Sequence, residues 1–378
     1  MINDPISLWL FYTDNPFLTY LSKFLDLFTI PIVFAFLFFV LFLSYRKHNI
    51  RLFSLFWPDM KKDMVLIKKR IFVFFISLLL TIAAVQFIKL IYPIDRPCVS
   101  EVYIDKIECP STSSFPSTHT ASAASLIIFT LGTSLFIPSF LFYLLVAFSR
   151  VYLGVHFLID VIIASSISFS IYLLVNSFLI PSKTKIAPKS SNLLRGFLHL
   201  SFGLFIMFIL ITFSFISLYP TLISILILLL ILFILLFFLH LDLKGKKHPI
   251  INNIINFVSI RDTFPAESAI WFILGTIILL GFIQDINLSI AALYIVTIGD
   301  VASAAFSSKK THKKSIFKNK NIFSFSAFVL FSLPSLLFLG LNGIWIILLA
   351  AIIESIDLKV NDNFLILLFL TLSILMFY

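Results

Sequence analysis

Apolar runs of 15 to 20 residues recur from Leu27 to the last residue, broken by brief polar turns and a few longer basic stretches. A run of that length fits a helix through hydrocarbon, where only helices and closed barrels satisfy their own backbone hydrogen bonds. One crossing per run predicts helices at approximately 26–44, 71–90, 118–133, 136–150, 157–178, 198–218, 221–240, 265–283, 287–306, 322–339, 343–357 and 363–378. The expected fold class is all-α, a polytopic membrane protein of about 12 transmembrane helices in two helical bundles. The opening stretch "MINDPISLWLFYTDNPF" has no basic leader and no small-residue cleavage site, so it is expected to lie along the interface as an amphipathic segment.

Composition agrees with this reading, since 60% of the 378 residues are hydrophobic and 12% charged. The net charge of +10 would suggest a nucleic-acid partner in a soluble protein, but the placement of the charges decides otherwise. Of 28 Lys and Arg residues, 22 fall in four connections, with eight in 45–70, four in 181–197, four in 241–263 and six in 307–320. The positive-inside rule makes those connections cytoplasmic and the basic residues headgroup neighbours, with no nucleic acid implied. The connection from Tyr92 to Ser117, with two basic and four acidic residues, then faces outward. Cys98 and Cys109 both lie there. An oxidising compartment would pair them, and two free thiols are the other reading.

The polar, proline-containing segment "PSKTKIAPKSSN", residues 181–192, marks a boundary between residues 1–180 and 193–378, with no convincing repeat between the halves.

Ionisable residues at membrane depth are expensive and need a partner or a task. In the first half they gather on the outward face. Lys89 ends the second crossing, Arg96 follows in "DRP", Ser117 and His119 sit in "FPSTH" where the third helix begins, and "SRVYLGVHFLID" supplies Arg150, His156 and Asp160. Three cations, two histidines and a carboxylate thus reach one membrane face from three connections. Three fixed positive charges suit a phosphate, and more so its pentacovalent state. The N–H groups that open the helix after Pro116 add anion donors, with the Ser117 hydroxyl beside them. His156 and Asp160 are four apart and expected on one helical face, so the carboxylate can hold one ring proton and leave the other nitrogen to attack phosphorus. His119 is placed to protonate the leaving oxygen, and the scheme requires no metal.

These three motifs resemble those of the type 2 phosphatidic acid phosphatase and vanadium haloperoxidase superfamily. Lys89 to Pro97 fits KxxxxxxRP, "PSTH" fits PSGH with Thr118 in place of Gly, and "SRVYLGVHFLID" fits SRxxxxxHxxxD. The resemblance implies phosphate contacts for Lys89, Arg96, Ser117 and Arg150, a nucleophilic role for His156 supported by Asp160, and acid catalysis by His119. It makes residues 1–180 a membrane-embedded lipid phosphatase domain working without a cofactor. The helices between His119 and Arg150 have room for about 15 residues each, about 22 Å, so the pocket is expected below the outer surface, within reach of a lipid phosphate. Polyprenyl diphosphate, phosphatidate and phosphatidylglycerol phosphate are the substrates the resemblance offers.

Residues 193–378 gather polar groups on the cytoplasmic side. Arg195 and His199 open the sixth crossing, "RDTFPAES" holds Arg261, Asp262 and Glu267, Asp300 lies near the inner end of the ninth, Glu354 closes the eleventh, and "NDN" supplies Asp362. Helix-packing polar residues and loop charges are the plain reading. A divalent cation with a nucleoside triphosphate is the functional one. "LLRGFLH", "RDTFPAES", "GDVASA" and "IIESIDLKVNDN" resemble the dolichol kinase, phytol kinase and CTP-dependent diacylglycerol kinase family. That resemblance implies a lipid-kinase-like membrane domain using Mg²⁺ and CTP, with Asp300, Glu354, Asp362 and Arg261 at the nucleotide and metal. It departs from the family at Gly196, Phe323 and Ser324. The expected location is the cell membrane, with the phosphatase site outside and the kinase-like site inside. A lipid transporter, flippase or scaffold using the same charges without catalysis is the reading from another class.

Overall fold

The computed structural model describes residues 4–45, 64–100, 106–179, 190–244, 267–306, 322–356 and 360–378. No strand occurs among them. Among the described residues seven helices are long and apolar enough to cross a membrane, and five further apolar helices run 10–17 residues. The chain is an all-α, multi-pass membrane protein. It divides into two compact units, Met1–Pro181 with Leu236–His248, and Ser182–Leu235 with Pro249–Tyr378.

The first unit opens with α1 (Pro5–Tyr12), capped by Asp4, which accepts from Ser7 N at 2.7 Å and Ser7 Oγ at 2.6 Å. Proline at its first position has no N–H to leave unbonded. Next comes α2 (Pro16–Tyr45), which starts ten residues before the apolar run that predicted it. The reason is local: Asn15 accepts from Leu18 N at 3.1 Å through its side chain, and Pro16 opens the helix, so the turn forms despite Thr19, Lys23 and Asp26. Asp26 consequently lies within the helix.

The other helices of the unit are α3 (Met64–Ile91), α4 (Thr118–Phe129), α5 (Phe136–Tyr152) and α6 (Leu158–Leu179). The centre is α6, buried continuously from Ile159 to Ser170 and packed on α3 and α4. Small residues permit this approach, with Val85, Ala121 and Ala164 forming a fully buried cluster. The α6 hydroxyls bond back along their own helix: Ser165 donates to Val161 O at 2.8 Å and Ser170 to Ser166 O at 2.8 Å. With 12 and 17 residues, α4 and α5 are the short pair that the spacing predicted. At 1.5 Å per residue they reach about 18 and 25 Å, against a hydrocarbon core of about 30 Å.

In the second unit the helices are α7 (Ser190–Ile216), α8 (Pro220–Leu243, whose last residues count with the first unit), α9 (Glu267–Phe282), α10 (Ile286–Tyr294), α11 (Asp300–Phe306), α12 (Ile322–Ser332), α13 (Gly343–Ser355) and α14 (Asp362–Phe377). Helix α7 begins at Ser190, so helix takes over the last three residues of the expected linker. A π-helical turn, Ile295–Gly299, joins α10 to α11. The unit is built around α9, buried from Ile270 to Gly281 against α14. Gly203 of α7 meets this turn so closely that a Cβ there would stand 2.2 Å from Thr297 Oγ1.

Candidate active site

Three connections of the first unit converge at the N-terminal end of α6. The turn from α5 to α6 is made by Gly154 at φ 71°, a conformation glycine adopts without a Cβ clash. Its carbonyl accepts from Cys98 N at 2.8 Å. This ties the turn to the loop after α3, where Cys98 and Cys109 form a disulfide. His156 follows in the turn, before α6 begins, so it does not share a helical face with Asp160 as the spacing suggested. Asp160 instead folds back over the helix start, where the first N–H groups lack intrahelical partners. Its Oδ2 accepts from Phe157 N at 2.9 Å and lies 3.4 Å from His156 Nδ1.

A residue the motifs did not single out completes this arrangement. Ser114 donates through Oγ to Asp160 Oδ2 and lies 3.5 Å from His156 Nδ1. Its only sequence signal was a hydroxyl three residues before Ser117 in the same loop. Asp160, Ser114 and His156 are all buried. With a carboxylate at Nδ1, the ring is assigned its proton there, which leaves the Nε2 lone pair facing Arg96 Nη1 at 3.5 Å.

Arg96 is a tie as well as a charge. It donates to Thr112 O at 2.7 Å, Thr112 Oγ1 at 2.9 Å and Val155 O at 3.0 Å, joining the loop before α4 to the turn that carries His156. Burial first, and next the charge of Arg150, pull its guanidinium down to about 10, still positive at neutral pH. Lys89, at the end of α3, donates to the carbonyls of Ser113 and Ser114. Ser117 caps α4, with its Oγ accepting from Thr120 N at 3.4 Å and Thr120 Oγ1 at 3.0 Å. Its own N–H bonds Asp160 O at 3.3 Å, so part of the donor set expected at this helix start is already engaged.

Arg150 and His119 meet a partner the sequence reading did not name. Arg150, buried near the end of α5, bonds Asp26 Oδ1 through Nη1, and His119 Nε2 lies 3.9 Å from the same oxygen. The charges of Arg150, Arg96, Lys89 and His119 all act on His156. Burial first, then those charges, hold the His156 imidazole well below its ordinary value, so it is neutral at pH 7. All seven phosphatase-site residues expected from the motifs therefore lie in one cluster at the N-terminal ends of α4 and α6.

In the second unit, Glu354 is fully buried on α13 and accepts from Ser303 Oγ at 3.0 Å, and Ser303 meets Ser324 Oγ at 2.7 Å. Asp300 faces His199 at 4.0 Å, while Asp362 lies in the first turn of α14. Among the described residues no three His, Cys, Asp or Glu side chains gather as a metal-ligand group. The described residues do not bring Asp300, Glu354 and Asp362 together as one three-ligand group, and no step through Mg²⁺ or CTP is derived. Arg261 lies outside the described residues.

The family model described as the PAP2 superfamily matches residues 70–182, which hold all three motifs and the whole cluster except Asp26. Residues 70–182 are a PAP2 superfamily domain. The chain is also similar to an uncharacterised protein of Methanocaldococcus jannaschii, 28% identical over 172 residues, which are 45% of this chain and 85% of the relative. No solved structure matches. Neither finding carries a counterpart to the lipid-kinase resemblance of residues 193–378.

Proposed function

We propose that the protein is a membrane-embedded phosphatase that removes phosphate from a lipid monoester or diphosphate through a phosphohistidine. The supporting observation is the tautomer geometry at His156: Nδ1 faces the Asp160 carboxylate and Nε2 faces the cationic side of the cluster. Nε2 forms a bond to phosphorus as the bond from phosphorus to the lipid oxygen breaks. The electron pair of that bond leaves with the oxygen, which takes a proton from His119. Water then gives its oxygen to phosphorus and a proton back to His119, releasing phosphate and restoring His156. Lys89, Arg96 and Arg150, with Ser117, stabilise the charge that accumulates on the equatorial oxygens.

The short α4 favours a lipid substrate of the polyprenyl diphosphate or phosphatidate type, because the cluster lies at an end of a helix too short to cross the bilayer. The basic connections and the Cys98–Cys109 disulfide both favour a site on the outward face of the cell membrane. For residues 193–378 the kinase-like reading rests on sequence motifs alone, and transfer of phosphate from CTP to a lipid alcohol in the presence of Mg²⁺ is the assay that decides it. The phosphatase reading is tested with purified protein in detergent and labelled lipid phosphates. Phosphate release is expected without added metal and lost in His156→Ala. A His156→Ala protein that keeps the wild-type rate overturns the assignment.

A further inference from the structure

The cluster contains two imidazole–carboxylate pairs, and only one belongs to the motifs. His156 pairs with Asp160 at 3.4 Å, and His119 pairs with Asp26 at 3.9 Å. Asp26 comes from α2, outside the matched residues 70–182. We propose that Asp26 is a positioning residue of the active site, holding His119 ready for proton donation and fixing Arg150 beside it, an inference that rests on the phosphatase reading above.

A carboxylate inside a membrane helix is costly unless it is paired, and Asp26 is paired with the most deeply buried cation of the cluster. The bond to Nη1 fixes Arg150 while its Nε has no hydrogen-bond partner among the described residues. Asp26 thereby anchors one edge of the guanidinium and leaves the rest able to meet an oxyanion. His119 stands among like charges: Arg150 from α5 and Arg96 from the loop act on it, it acts on His156, and Lys89 of α3 and Asp160 of α6 belong to the same set. Burial first, and next the neighbouring cations, oppose the doubly protonated ring that a proton donor requires, and the Asp26 carboxylate at ion-pair distance offsets part of that opposition. With Nε2 toward Asp26, Nδ1 is the nitrogen that gives its proton to the departing oxygen. The pair is also the more open side of the cluster, with the His119 and Asp26 side chains 24% and 28% exposed against 2% for His156. That exposure suits a proton that must be replaced from water in each cycle.

A positioning role predicts a loss that depends on the leaving group. The purified full chain and its Asp26→Asn and Asp26→Glu variants are given phosphatidate, a polyprenyl diphosphate and p-nitrophenyl phosphate. Asp26→Asn is expected to lower kcat about 100-fold on phosphatidate, whose alkoxide needs a proton, and about threefold or less on the other two, whose leaving groups are weakly basic. KM should stay level or fall, and Asp26→Glu should recover most of the rate. Where only one substrate is accepted, the criterion is a fall in kcat without a rise in KM, recovered by Asp26→Glu. Turnover of the less demanding esters shows that the variant is folded. Equal losses on all esters, no loss on any, or a rise in KM without recovery by Glu would overturn the role of Asp26 and leave the phosphatase reading intact. A wild-type protein that releases no phosphate from any of the three would overturn the phosphatase reading itself.

Discussion

Replacing Asp160 with Asn isolates charge from shape. The side chain is fully buried, and its Oδ2 accepts from Phe157 N at 2.9 Å and from Ser114 Oγ. An asparagine with its amide oxygen in that place keeps both bonds and still accepts the Nδ1 proton of His156, so the tautomer and ring orientation survive. What is lost is a negative charge 3.4 Å from an imidazole that turns cationic as it bonds phosphorus. At an effective dielectric of about 20, a unit charge at that distance is worth about 5 kcal/mol. The amide dipole returns part of this, leaving about 3 kcal/mol, or roughly a 150-fold fall in kcat. KM should not rise, because Lys89, Arg96 and Arg150 lose a competing anion. The assay is steady-state phosphate release in detergent, with kcat and KM resolved and a thermal melt to confirm the fold. A kcat within about threefold of wild type, or a loss confined to KM, would refute the charge argument.

Two further expectations concern the framework. Lys106 donates to Leu10 O at 2.9 Å, Thr13 O at 2.6 Å and Tyr152 O at 3.0 Å, and its Nζ lies 3.8 Å from the centre of the Tyr152 ring. Lys106→Met should therefore cost about 2 kcal/mol by releasing α1 from the end of α5, read as a lower melting temperature; an unchanged melt would show that water replaces the clasp. In the second unit, Gly203→Ala would set a methyl group 2.2 Å from buried Thr297, costing about 2 kcal/mol or more, and a wild-type melt would mean the π-helical turn yields freely.

The motif residues were legible because their chemistry is unusual at membrane depth. Lys89, Arg96, His119, Arg150, His156 and Asp160 each stood out against an apolar background, and the structure brings them together with Ser117. Asp26 and Ser114 were not legible. Asp26 stands at the first residue of the predicted 26–44 crossing, where a charge marks a helix end, whereas α2 begins ten residues earlier and carries it into the helix. Ser114 is one of several hydroxyls in "STSSFPSTH", and only the fold shows which of them reaches the carboxylate. The place of Leu236–His248 in the first unit was equally hidden, because His240 accepting from Gly132 N at 3.1 Å joins positions with no local pattern in common. In the second unit, the sequence did not show the neighbours the fold gives two of the carboxylates: Glu354 accepts from buried Ser303, and Asp300 faces His199.

The 17-residue α5 presents Ile137, Leu141, Leu144, Leu145 and Phe148 on its exposed side. Acyl chains beside it meet about 25 Å of protein, against a hydrocarbon core of about 30 Å. A bilayer relieves such hydrophobic mismatch by thinning locally. Arg150 lies in the last turn of α5, so thinning at that end would set the headgroup plane closer to the guanidinium and shorten the path of a lipid phosphate to it.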